Sequence, residues 1–387
     1  MAAGDYVLYA MPGSLYSGKA RSYLRKQAIP FRERAPSHPS FQNEVIPAIG
    51  RWIIPVLQTP DGALIQDGAA IIDHFEERGL ARLSAVPESP VQEVVARVLE
   101  LYGGEGLLRP AMYYRWHFDA ANLAFLERDF VCGLAPSGDA ATAAAVFAKA
   151  SQRMRFAGAA LGATPQAAPA IEAAYLEFLA LFEAHLQAAP YLLGGKPTLG
   201  DYGFIASLFA HLGRDPYPAE LMKRSAHRVW RWVERMNAPE QGAGEYGDPE
   251  ESLFPGDAVP ASLKALLRFI AEDYVPEVEA YVAHANAWLA ARPDLPEGSN
   301  GLDKPGERSI GMMRFPWRGQ ELNVSVLPYR LYLLQRIQDA AARADAAGQA
   351  AIAALLEEVG LAPLLRLKTA RRVERRGNLE VWGPKLS

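Results

Sequence analysis

The spacing of apolar positions changes character along this chain, and each change marks an element boundary. Tyr6-Val7-Leu8-Tyr9 is a short β-rich run, and Met11-Pro12-Gly13-Ser14 after it is turn chemistry. From Lys19 the period becomes helical, with Ala20, Tyr23, Leu24 and Ala28 on one face. Read on in this way, residues 1–84 predict strands near 6–10, 29–34, 54–58 and 63–66, with helices near 17–28 and 68–79. Strands alternating with helices predict an α/β layer. Val86-Pro87-Glu88-Ser89-Pro90 interrupts both periods and reads as a linker.

From Val91 to about Met236 the long periodic segments are helical. Val94, Val95, Val98, Leu99 and Tyr102 recur at helical spacing, as do Ile171, Tyr175, Phe178, Leu179, Phe182 and Leu186. Thr198 and Asp201 have the spacing of a capping box ahead of the apolar stripe Ile205, Leu208, Phe209 and Leu212. Residues 237–260 carry glycines, prolines and acids and predict a long loop. Helical spacing returns over 262–291, and a second Pro/Gly stretch covers 292–306. Met312–Leu327 is β-like around a possible Arg318-Gly319 turn, and helices are expected near 329–358 and 361–376.

Ser14-Leu15-Tyr16-Ser17-Gly18-Lys19-Ala20-Arg21, Ile53-Ile54-Pro55-Val56-Leu57 and Gln66-Asp67-Gly68-Ala69-Ala70-Ile71 come in an order and spacing that resemble the glutathione transferase superfamily. They resemble its active-site turn, its Val-Pro-x-Leu segment with a cis proline, and its Glu-Ser-x-x-Ile helix start. Gly194-Gly195-Lys196-Pro197-Thr198-Leu199-Gly200-Asp201 resembles a segment of the family's helical second domain. The resemblance implies a thioredoxin-like α/β domain over 1–84, followed by an all-α glutathione transferase-type domain over 91–236. The remaining residues, 237–387, are expected to form a mostly helical extension with long loops, packed on the helical domain or over the cleft.

By this resemblance the reaction is attack of glutathione's thiolate on a small hydrophobic electrophile. Ser14 would stabilise the sulfur as a hydroxyl donor at the mouth of the first helix, where the helix dipole favours an anion. Tyr16 and Ser17 offer competing hydroxyls, and Ser14 also fits a plain helix cap. Ile54, before Pro55, would pair with the cysteinyl part of glutathione through its main chain; the plain alternative is a trans proline ending a strand. Gln66, Asp67 and the Gly68 amide would hold the γ-glutamyl end, while Asp67 equally suits a helix cap. Arg51 and Trp52 are candidates for the glycine carboxylate. Gly68 stands where the family carries Ser, and Ile53 where a basic residue or Gln is common. Tyr113, Arg115 and Trp116, in the densest aromatic cluster, are candidates for the electrophile pocket, with an aromatic core stripe as the alternative.

Composition narrows the chemistry. A length of 387 residues suits two or three domains, and half of the residues are hydrophobic. The net charge of −4 gives no general attraction to nucleic acid or anionic membranes. No leader or membrane span is expected, and a single cysteine, which can form no internal disulfide, fits a cytoplasmic setting. Cys132 is the one cysteine and lies far from the Ser14 turn, so thiol–disulfide exchange by a catalytic cysteine is not expected. The histidines show no metal-ligand spacing, and no metal is expected. Glutathione is the expected co-substrate and a homodimer the expected assembly. Two rival functions stay open: a non-catalytic binding protein on the same fold, and another glutathione reaction such as ether cleavage, dehalogenation or isomerisation.

Overall fold

The computed structural model describes residues 5–240, 242–304 and 306–385. It opens with β1 (Tyr6–Tyr9), α1 (Leu15–Lys26), β2 (Phe31–Arg34), α2 (Ile46–Ile49), β3 (Val56–Gln58), β4 (Leu64–Gln66) and α3 (Gly68–Glu76). The sheet order is β2-β1-β3-β4, with β1 and β2 parallel and the other pairs antiparallel. Leu8, Tyr23, Leu24, Leu57, Ile71 and Phe75 cover one face and join the main core. On the other face Tyr9, Met11, Phe41, Val45, Ile49, Ile54 and Val56 make a small separate cluster. Phe41 and Val45 reach it from a π-helical turn, Phe41–Val45, a segment that the periodicity did not announce. This is a thioredoxin-like α/β layer.

A helical array follows: α4 (Pro90–Leu101), α5 (Leu108–Trp116), α6 (Asp119–Leu134), α7 (Ala140–Ala160), α8 (Ala168–His185), α9 (Leu199–Ala210), α10 (Pro216–Ser225) and α11 (His227–Asn237). Helix α9 is buried along nearly its whole length and packs on both α1 and α4, so it ties the two regions together. It starts where Asp201 accepts from the Thr198 amide at 2.9 Å and also from Leu192 N and Trp232 Nε1. Between α4 and α5 a π-helical turn, Tyr102–Gly106, brings Glu105 into the interior. Gly103 permits this approach, because a Cβ there would sit 2.4 Å from Phe204 N. The long segment after α11 is held down rather than free: Gly195 N donates to Ser252 O, and Gln92 Nε2 to Phe254 O.

The rest of the chain holds α12 (Ala261–Ala290), the hairpin β5 (Met312–Trp317) and β6 (Gln320–Ser325), α13 (Tyr329–Arg343), α14 (Ala346–Glu358), α15 (Pro363–Arg366), and the hairpin β7 (Arg371–Arg376) and β8 (Leu379–Lys385). The β5–β6 turn falls at Arg318-Gly319, as its β-like pattern predicted. Two expectations are corrected. The helix foreseen over 329–358 is two, broken where Asp345 caps α14. The helix foreseen over 361–376 is a single turn followed by a strand. Gly377 and Asn378 both have positive φ, 55° and 66°, which closes a two-residue hairpin and turns the Arg-rich segment into β7. Among the described residues no helix is long and apolar enough to cross a membrane.

Candidate functional site

Ser14 caps α1, and its Oγ accepts from Ser17 N at 3.4 Å and from Ser17 Oγ at 2.9 Å. Both neighbouring hydroxyls are therefore committed. The buried Ser17 hydroxyl donates to Ser14, and Tyr16 donates to Glu105 Oε1 at 2.9 Å. Burial, then the adjacent Glu105 carboxylate, push the Tyr16 hydroxyl well above its ordinary pKa. A hydroxyl has one proton and two acceptor sites. Ser14 has filled its acceptor sites and keeps its proton for a further partner.

The turn itself is gripped from the helical region. Arg115 Nη1 donates to Gly13 O at 3.0 Å, and His211 Nε2 lies 3.2 Å from the same oxygen. Arg115 is fixed in turn by Asp215, which accepts from Nε and Nη2, each at 2.7 Å. The proposed electrophile pocket is thereby closed. Tyr113, Arg115 and Trp116 are 4, 2 and 3 % exposed. Tyr113 donates to Glu172, Trp116 packs on Phe130 and lies under Arg155, and Arg115 is locked to Asp215. Aromatic spacing here reports a core, and its arginine serves the Ser14 turn.

The Ile54–Pro55 peptide is cis. Among the described residues neither main-chain polar group of Ile54 has a hydrogen-bond partner, since the β1–β3 pairing begins at Val56. Ile54's side chain belongs to the small second cluster, which holds this bend in place. The bend expected to pair with a cysteinyl residue is thus formed, with the Ile54 main-chain groups unbonded among the described residues.

The γ-glutamyl half is different. Asp67, at φ 96°, caps α3 through Ala69 N and Ala70 N, and its two oxygens also take the Tyr329 hydroxyl at 2.8 and 2.9 Å. Gln66, at the sheet edge, donates its amide to Asn378 Oδ1 and receives Arg375 Nη2 on its carbonyl and its Oε1. Arg51 does not face an open carboxylate subsite. It donates to Glu380, to Gln66 Oε1 and to the Asn378 carbonyl. Gly68 sits against a buried lysine, and a Cβ there would lie 3.1 Å from Lys19 Cδ. Lys19 is fixed by Glu100 at 2.5 Å, so the missing hydroxyl at residue 68 has a packing cause.

The covering residues come from the extension, and no sequence motif marks their roles. Tyr329 starts α13. Arg375, Asn378 and Glu380 flank the β7–β8 turn, for which Gly377-Asn378 is a legible hairpin signal. Gln335 of α13 anchors the hairpin by bonding both Val373 N and Val373 O at 2.8 Å. Beneath it runs a buried chain of charges. Arg330 donates to Glu105 at 2.9 Å and to Glu277, and Glu277 also takes Arg109 at 2.5 Å. Burial opposes the charge on Glu380, but Arg308, Arg51 and Arg375 outweigh it and hold its carboxyl down at about 2.

The family model for the glutathione S-transferase N-terminal domain matches residues 8–79, and that for the C-terminal domain matches residues 165–235. No curated protein matches the chain. Several solved structures are similar. A glutathione transferase from Phanerochaete chrysosporium is 16 % identical, over 61 % of this chain and 97 % of its own, with TM-score 0.43. A glutathione S-transferase from Methylobacterium radiotolerans, in complex with glutathione sulfonate, is 20 % identical, over 66 % of this chain and 100 % of its own, with TM-score 0.35. FzlA from C. crescentus is 18 % identical, over 68 % of this chain and 99 % of its own, with TM-score 0.32. With both domain matches in order along one chain, this protein belongs to the glutathione S-transferase superfamily.

Proposed function

We propose that this protein is a serine-type glutathione transferase, in which the Ser14 hydroxyl donates to the thiolate of a glutathione-like thiol. The thiol proton leaves to solvent and the sulfur attacks the electrophile. A carbon–sulfur bond forms, and the leaving group departs with its electron pair. The observation that carries this reading is the hydrogen bonding of Ser14, whose Oγ accepts twice from Ser17 and retains its own proton. The α1 N-terminus adds a positive field at the same point. Ile54, with unpaired main-chain groups, supports a strand-like grip on the cysteinyl residue. In this reading residues 1–84 hold the thiol, 91–236 fix the Ser14 turn and 237–387 cover the γ-glutamyl side, within a cytoplasmic homodimer.

A second reading, a non-catalytic binding protein, is favoured by one observation: Asp67 and Gln66 are bonded to the chain's own Tyr329, Arg375 and Asn378. Calorimetric titration with glutathione and with S-hexylglutathione separates the two, alongside turnover of 1-chloro-2,4-dinitrobenzene. Saturable binding with turnover is the expected result. Binding without turnover transfers the site to the second reading, and no heat at millimolar ligand rejects the first.

A further inference from the structure

Recognition of glutathione's γ-glutamyl end normally has to satisfy two opposite charges, an ammonium and a carboxylate. An ammonium needs acceptors, and those on this side of the cleft are taken. Asp67 is 4 % exposed, and its oxygens hold the Tyr329 hydroxyl and two α3 amides. Gln66 Oε1 holds both Arg51 and Arg375. The extension brings two arginines here, Arg375 and Arg308, against one acid, Glu380. Arg51 and Arg375 each bond Glu380 at 2.9 Å, although Arg51 Nε is buried without a partner among the described residues.

Arg308 is the exception. Its nearest acid is Glu380, 3.8 Å from Nε, and among the described residues it makes no hydrogen bond. Its side chain is 29 % exposed, and the guanidinium lies 5.9 Å from the centre of the Tyr329 ring. Its charge also acts on Tyr16, two residues from Ser14. Arg308 thus lies beside the tyrosine that closes Asp67. A guanidinium with free donors is suited to a carboxylate, which it can bind in bidentate fashion. An ammonium brought to the same place would lose water and meet like charge.

We infer that the site selects a thiol peptide presenting a carboxylate without an adjacent ammonium, and that Arg308 of the extension is the residue that determines this specificity. The inference rests on the Ser14 reading for the thiol, but its test reads binding alone.

The experiment is calorimetry on the full chain with glutathione and with glutaryl-cysteinyl-glycine, which keeps both carboxylates and lacks the ammonium. The glutaryl peptide is expected to bind about tenfold more tightly, the scale of one charged contact. Arg308→Gln should weaken it by about tenfold. Tyr329→Phe, which releases oxygens of Asp67, should move the preference back toward glutathione. Tighter binding of glutathione by the intact chain, or unchanged affinity in Arg308→Gln, overturns the inference while leaving the Ser14 reading in place. No heat with either peptide rejects both. Binding as expected with turnover unaffected by Ser14→Ala rejects only the role of Ser14.

Discussion

The two sides of the candidate site, one at Ser14 and Ile54 and the other at Gln66 and Asp67, teach different lessons. On the expected cysteinyl side Ser14 and Ile54 are buttressed from behind, while the Ser14 proton and the Ile54 main chain have no partner among the described residues. At the γ-glutamyl half the corresponding groups, Gln66 and Asp67, are bonded in front by residues more than two hundred and fifty positions later in the chain. Both halves sit on one four-stranded sheet of a single superfamily. The difference lies entirely in what the extension brings to the edge strand β4. A sheet edge and a helix N-terminus attract any segment with suitable donors and acceptors. Here the chain supplies such a segment itself.

Breaking the seam beneath the extension should have the largest effect. Arg330 lies between Glu105 and Glu277, each 2 % exposed, so Arg330→Met leaves two buried carboxylates without it. A loss of about 3–5 kcal/mol is expected, read as the urea midpoint. An unchanged midpoint would mean that the extension is not coupled to the α4–α5 break.

Acid should act next. Glu380 titrates near 2 when folded, below the ordinary carboxylate value of 4.5, so its stabilisation is complete above about 4.5 and fades as pH falls toward 2. The shift corresponds to about 3 kcal/mol as an upper bound. Hydrogen exchange should then report selective exposure of β7–β8 below pH 4, a loss absent from Glu380→Gln. Uniform protection down to pH 3 would contradict the pairing.

Ser14→Ala addresses the open half, and turnover should fall by about tenfold or more, toward the scale of a lost oxyanion donor. Unchanged kcat would withdraw Ser14 from the chemistry. The smallest effect is expected from Gly68→Ser, which restores the family's usual residue. Its Cβ would press on Lys19, which Glu100 holds, so a loss of about 1 kcal/mol and no gain in glutathione affinity are expected. A clear gain in affinity would show that the closed half still yields to ligand.

Much of the α/β layer was legible because short-range patterns encode it. The β1 run, the α1 stripe and the cap at Asp67 all depend on neighbours a few residues away. The site was legible only in part. Arg115 looked like a pocket residue because it lies among aromatics, yet burial beside Asp215 makes it a brace for the Ser14 turn. Residues 361–376 read as helical, while Gly377-Asn378 held the contrary signal. Lys19 and Gly68, far apart in sequence, explain each other only once α1 and α3 are side by side.

The sequence by itself determined most of the elements, their order and the family, since periodicity, caps and turn residues act locally. It also set the chemical types at the Ser14 turn and at Ile54–Pro55. Tertiary structure alone decided which polar groups of this region are bonded by the chain itself and which are left open. Tyr329, Arg375, Asn378 and Glu380 reach Gln66, Asp67 and Arg51 across more than two hundred and fifty residues. No local pattern specifies such pairs. They form because α13 packs on α4, and the β7–β8 hairpin anchored to α13 then finds its lowest energy on the polar edge of β4.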